Sequence, residues 1–197
     1  MMGERNILIL GSEGAIGSQL VKTLSGQIEM GHIFRVTRSR HTEVPVSSTE
    51  TLLFGDLLDK NFVSSICEQH EIQVVIFCAA KWNGINQDPK VLDVNVTMVN
   101  NLIASMPNAV GNFIYLSSSA VYSDGNFIDS DAIELLPHST YGKSKLISEI
   151  LLRNKAELSE LSLTIYRPFH VVSPYEKYCP GRSHITTDFV HRYVELG

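Results

Sequence analysis

The chain is 197 residues long and 44% apolar, with a formal net charge of -5. That length suits one well-buried core and suggests a single domain. No apolar run approaches the ~20 residues of a membrane span, and the acidic balance argues against a nucleic-acid footprint. Cys67, Cys78 and Cys179 lie far apart with no C-x-x-C pair. They read as reduced packing cysteines of a cytoplasmic protein, not as metal ligands. The apolar stretch near the N-terminus is too short for a secretory signal before Gly11 interrupts it.

In chain order, Ile7 to Leu10 run apolar without alternation and predict a short buried strand. Gly11, Gly14 and Gly17 follow at G-x-x-G-x-x-G spacing, leading into a helical pattern with Ile16, Leu20, Val21 and Leu24 on one side. A strand, a tight glycine turn and a helix N-terminus make a phosphate site. The turn must be free of Cβ clashes, the backbone must approach a pyrophosphate closely, and unpaired helix N–H groups favour negative charge. Three glycines alone also fit a plain tight turn; their place directly after an N-terminal strand points to a dinucleotide fold. Gly11, Gly14, Ala15, Ile16 and Gly17 are therefore candidate cofactor contacts.

Ile33 to Thr37 predicts the second strand. At the end of such a strand an acid accepts the adenosine ribose hydroxyls, whereas an arginine accommodates a 2′-phosphate. Here Arg38 stands there, with Arg40 two residues on and no acid between. That leans toward NADP over NAD. Glu13, inside the glycine turn, pulls the other way by repelling a phosphate, and the two arginines also fit a solvated basic turn.

Residues 41–51 are polar and read as a loop. Leu52 to Phe54 predicts a brief third strand closed by Gly55 and Asp56, and Asp59 a helix N-cap for a helix running to about Glu71. Val74 to Cys78 reads as a fourth buried strand, followed by the small residues Ala79 and Ala80 and a loop with Lys81 and Trp82. A helix is expected from Pro89 to Met106, containing Asn95. A strand from Phe113 to Leu116 then ends in Ser117, Ser118 and Ser119, a helix spans Tyr141 to Leu158, and a last strand covers Leu161 to Tyr166. Alternating strands and helices predict an α/β fold of the Rossmann type, a doubly wound parallel sheet with helices on both faces. Ligands in such sheets bind at the carboxyl ends of the strands.

Tyr141 and Lys145 stand four residues apart, on one helix face. A tyrosine with an unperturbed pKa of ~10 is a poor base at neutral pH, but a lysine charge nearby, helped by an oxidised nicotinamide, favours the phenolate. Tyr141 is thus a candidate general acid/base, with Ser118 able to bond the same substrate oxygen.

The conjunction of GSEGAIG, Gly55 and Asp56, Ala79 and Ala80, Asn95, SSSAVY from Ser117, Tyr141-x-x-x-Lys145 and Arg167-Pro168 resembles a known family. It is that of the extended short-chain dehydrogenase/reductases, the NAD(P)-dependent epimerase/dehydratases acting on nucleotide sugars. The resemblance implies a catalytic set of Ser118, Tyr141 and Lys145. It places Asp56 and Leu57 near the adenine, and Ala79, Ala80, Lys81 and Asn95 along the cofactor. Pro168, Phe169, His170 and Val171 would lie toward the nicotinamide, and Ser119, His170 and His184 toward the substrate. It further implies a homodimer built on the helices at 89–106 and 141–158.

Departures from the family pattern bear on the reaction. Sugar 4,6-dehydratases carry an Asp-Glu pair where this chain has Ser119 and Ala120. GDP-fucose synthases, which the AAKWNGI segment and Ser183-His184-Ile185 also resemble, carry a cysteine at the place of Ala120. His170 replaces a usual asparagine and Ser123 a usual glycine, both near the expected substrate. Family members continue well beyond the position of Gly197, and a helix expected over 188–196 would be the first of that further region. The cofactor half is thus expected to be complete and the substrate region, 168–197, only begun. The expected activity is hydride transfer on a nucleotide sugar, of the 4-epimerase or 4-ketoreductase kind; the alternative is a dinucleotide-binding module without catalysis.

Overall fold

A computed structural model of the chain describes residues 5–25, 31–38, 46–82, 88–122, 135–169, 171, 178 and 190–191. Strands and helices alternate as β1 (Ile7–Leu10), α1 (Ala15–Leu24), β2 (Ile33–Thr37), β3 (Glu50–Phe54), α2 (Lys60–Gln69) and β4 (Val74–Phe77). They continue as α3 (Pro89–Ser105), β5 (Asn112–Leu116), a 3-10 turn over Ser119–Val121, α4 (Thr140–Glu157) and β6 (Ser162–Tyr166). The strands form one parallel sheet in the order β3-β2-β1-β4-β5-β6. This is the doubly wound Rossmann arrangement, whose order reverses between β1 and β4 and opens a crevice above their carboxyl ends.

Alternation along β1 divides the core between the two faces of the sheet. Leu8 and Leu10 pack with Val75, Phe77, Phe113 and Tyr115 against Val63 of α2, Leu102 of α3 and Leu152 of α4. Ile7 and Ile9 pack with Ile33, Ile76 and Val21 of α1. Every residue of β1 is at most 2% exposed, which explains its unbroken apolar run. No helix among the described residues is long and apolar enough to cross a membrane.

Element ends agree with the sequence reading to within about two residues, and the difference at β3 has a physical cause. That strand starts at Glu50, not at Leu52, so the loop expected to reach Thr51 ends earlier. The reason is a buried ion pair. Arg35, wholly buried in the middle of β2, directs Nη1 to Glu50 Oε2 at 2.7 Å. Burial alone would raise the Glu50 carboxyl, but the Ser25 hydroxyl, the Arg35 guanidinium and the Ser47 hydroxyl together hold it below its ordinary value. A polar residue is thereby drawn into pairing with β2.

Helix α2 begins as the sequence predicts. The Asp59 carboxylate accepts the backbone N–H groups of Asn61 at 2.9 Å and Phe62 at 3.3 Å, satisfying donors that have no partner within the helix. Asp59→Ala should lower the unfolding free energy by about 1 kcal/mol. Denaturant titration tests this, and an unchanged midpoint would show that the cap contributes nothing.

Candidate active site

The glycine turn is shaped by close approach of backbone to backbone. Gly11 has φ +83°, and a Cβ there would stand 2.6 Å from the Ala79 nitrogen. A Cβ on Gly17 would stand 2.1 Å from the Gly11 carbonyl oxygen. Both positions are closed to side chains by the fold itself: Gly11 brings β1 against the end of β4, and Gly17 lays α1 on the turn. Gly14 differs. Its Cβ would meet only the Gly11 oxygen, at 3.3 Å, so its outer side is open to a ligand, as a backbone that must meet a pyrophosphate requires. Gly14 is also the N-cap of α1 and makes no side-chain cap bond, so Ala15 and Ile16 open the helix without a competing side chain at its positive end. This cradle fits a dinucleotide.

Serines and asparagines hold the surrounding loops. Ser12 Oγ donates to the Val36 carbonyl at 3.3 Å and seats the turn on the end of β2. Asn95, buried in α3, accepts the Lys81 N–H at 2.6 Å and donates to the Lys81 carbonyl and to Ser144 Oγ, each at 3.0 Å. It thus ties the loop after β4 to α4. Asn101, one and a half turns on, donates to the carbonyls of Leu57 and Leu58 at 3.0 and 3.1 Å. Asp56 accepts the Leu58 N–H at 3.0 Å, and Leu57 is buried. Ala79 lies against the turn, Ala80 is exposed, and Lys81 is half-buried with Nζ 4.0 Å from Asp88. Arg38 is exposed where the chain leaves β2.

Ser118, Tyr141 and Lys145 come together at the carboxyl end of β5. Ser118 caps the 3-10 turn by accepting the Ala120 N–H at 3.1 Å, and its hydroxyl stands close enough to the Tyr141 phenol to favour the phenolate. Gly142 makes this approach possible, since a Cβ there would stand 2.1 Å from the Ala120 carbonyl oxygen. Lys145 is 2% exposed. Its ammonium donates to the Leu116 carbonyl at 2.7 Å and lies 5.7 Å from the centre of the Tyr141 ring.

In the protein alone burial pushes the Tyr141 phenol up to about 12, against an opposing effect of the Ser118 hydroxyl. Burial likewise pushes Lys145 down to about 8, although Cys78 and Glu149 favour its charge. Desolvation is the largest influence on each group. At neutral pH the pair is therefore a protonated phenol beside a charged ammonium.

Glu149, which the sequence reading does not single out, joins Arg167 in a further network. Glu149, on the same stripe of α4 as Tyr141 and Lys145, is 1% exposed. It receives Arg167 Nε at 3.0 Å and Nη2 at 2.6 Å, and also the Ser117 hydroxyl. Arg167 extends to Tyr122 Oη at 3.2 Å. With the Ser119 N–H on the Pro168 carbonyl at 2.9 Å, this network locks the serine segment to the stretch after β6. The Y-x-x-x-K-x-x-x-E spacing and Arg167-Pro168 are its traces in the sequence. Ser119 and Pro168 are half-buried, Phe169 is exposed and Val171 is half-buried. His170, His184, Arg40, Ser123 and Cys179 lie outside the described residues. Cys67 and Cys78 are free thiols, and burial pushes each up to about 11.

The family model described as the NAD dependent epimerase/dehydratase family matches residues 7–196. The chain belongs to this family. Among curated relatives, the N-acetyl-alpha-D-glucosaminyl-diphospho-ditrans,octacis-undecaprenol 4-epimerase of Escherichia coli O157:H7 is 29% identical over 167 residues. The match covers 83% of this chain and 48% of the relative. A crystal structure of a UDP-glucose 4-epimerase superposes with a TM-score of 0.81 at 26% identity, covering 98% of this chain and 61% of that one. The UDP-glucose 4-epimerase of Brucella ovis, solved in complex with NAD, gives 0.70 at 25% identity, covering 84% and 52%. The chain spans about half the length of the curated relatives it matches. The epimerase/dehydratase match therefore bears out the expected fold and family together.

Proposed function

We propose that the chain carries the dinucleotide-binding and proton-transfer machinery of a nucleotide-sugar 4-epimerase. The observation that carries this is the cluster of Ser118, Tyr141 and Lys145 at the carboxyl edge of the sheet, across the β1/β4 crevice from an open Gly14 cradle. Relatives named as 4-epimerases support the choice of reaction.

When bound, the nicotinamide supplies the acceptor and donor of hydride. The chain's own residues handle the proton. In the oxidising half of the reaction the Tyr141 phenolate takes the proton of a sugar hydroxyl, and in the reducing half the phenol so formed returns it to the sugar oxygen. Ser118, whose hydroxyl stands near the phenol, holds that same oxygen. Lys145 keeps a positive charge close to the ring, which stabilises the phenolate formed in the transfer. Ser119 lies beside Ser118 on the substrate side, and we extend the same role to His170 and His184 on the strength of the family resemblance. A homodimer through α3 and α4 is consistent with the exposure of Ile147 and Ile150 on α4, at 36% and 50%.

For the cofactor, the exposed Arg38 and the lack of an acid at the end of β2 support NADP, and the relatives solved with NAD support NAD; we favour NADP. Incubation of the protein with UDP-glucose or UDP-N-acetylglucosamine, with each dinucleotide in turn, tests the function. Chromatographic appearance of the C4 epimer is the expected result; the absence of an epimer from both sugars with both dinucleotides would overturn it.

A further inference from the structure

Arg35 is an unusual residue for the centre of a buried parallel strand. It is wholly buried, with Phe34 and Val36 as its neighbours in β2. One arm of the guanidinium meets Glu50 of β3 at 2.7 Å, and the other meets Glu13 of the glycine turn at 3.0 Å. Glu50 is held from behind by the hydroxyls of Ser25, at the end of α1, and Ser47. A single cation therefore spans three segments: the sheet edge, the C-terminus of α1 and the turn.

The Glu13 end of this network is the one that faces outward. Its side chain is 31% exposed while Arg35 has no exposure at all. The Ser12 bond to Val36 seats the turn on the end of β2, which puts Glu13 next in chain to a residue held two positions before the exposed Arg38. The end of β2 is the corner at which the second strand of a dinucleotide fold meets the adenosine ribose. A carboxylate loose at that corner would pair with Arg38 and repel a phosphate. Glu13 instead has an oxygen anchored on a guanidinium inside the protein.

We propose that Arg35 is a specificity-positioning residue: by drawing the Glu13 carboxylate inward, it leaves Arg38 to receive a phosphorylated ribose. The inference rests on the dinucleotide reading above and adds to it the residue that sets the choice between NADP and NAD. Arg35 does not touch the ligand; it acts through Glu13.

Calorimetric titration of NADP and NAD into the whole chain tests the proposal, with the ratio of the two dissociation constants as the readout. The parent should prefer NADP, and E13Q should leave the ratio within about two-fold, because that charge is already turned inward. R35M/E50Q removes the buried pair together, so that no uncompensated charge stays in the core. It should weaken NADP about ten-fold relative to NAD, and adding E13Q should restore the ratio. E13D, at a part-exposed position that leaves the core untouched, shortens the side chain out of reach of Arg35 and should weaken NADP relative to NAD by about five-fold. It decides the matter if the double variant does not fold. Equal weakening of both dinucleotides, or a ratio that stays constant in R35M/E50Q and E13D, would reduce the network to scaffolding and overturn the inference. A parent that prefers NAD overturns it as well. A parent that binds neither dinucleotide overturns the cofactor reading itself, which separates the two failures.

Discussion

Tyr141→Phe should lose turnover by about a thousand-fold while binding dinucleotide as the parent does. The exchange removes one oxygen and leaves the ring, so α4 keeps its packing and the approach of Gly142 to Ala120 is unchanged. What disappears is the hydroxyl that stands near Ser118. Burial pushes that phenol up to about 12 and Lys145 down to about 8. The protein thus begins with the proton on Tyr141 and the charge on Lys145 at neutral pH. As pH rises through about 8, Lys145 loses the charge that stabilises the phenolate, so the step in which Tyr141 gives up its proton should slow over that range. Epimer formation by the Tyr141→Phe protein at the parent rate would remove Tyr141 from the chemistry.

Gly17→Ala should cost roughly 3 kcal/mol of stability, because the added methyl has nowhere to go. Its Cβ would lie 2.1 Å from the Gly11 oxygen and 3.0 Å from the Ser12 Cα, both backbone atoms that no rotamer change can move aside. Gly11 itself is held against Ala79, so the strain passes into the β1/β4 pairing at the base of the crevice. Gly14→Ala provides the contrast. Gly14 has φ -78°, which any residue adopts, and its Cβ would meet only one atom at 3.3 Å. It should change stability by less than about 1 kcal/mol and act instead on dinucleotide affinity. Denaturant unfolding of the two variants separates a glycine needed for packing from one needed for a ligand; equal costs would contradict that division.

What could be seen in the sequence follows from the range of the interactions involved. β1, β2 and β4 are apolar runs because both faces of a parallel sheet are covered, and Asp59 announces α2 through bonds to residues two and three positions ahead. Such signals are local. Arg35 is the opposite case. Within IFRVT it is an odd charge, and its partners lie 22 and 15 residues away, so nothing in the periodicity links it to Glu13 or to the early start of β3. Glu149 and Arg167, 18 residues apart, were similarly invisible as a pair. Asn95 stood out only by resemblance, and its work, holding Lys81 and Ser144, depends on the packing of α3 against α4. The four-residue spacing makes the approach of Lys145 to Tyr141 legible, whereas the burial that raises the phenol and lowers the ammonium is a property of the folded chain.

The most direct measurement is calorimetric titration of the purified chain with NADP and with NAD. One dinucleotide bound per chain, lost on replacing Gly14 with a bulky valine that leaves the fold intact by circular dichroism, is the predicted result. Failure of the folded chain to bind either dinucleotide would contradict the reading of the β1/β4 crevice as a cofactor site, and with it the hydride-transfer function.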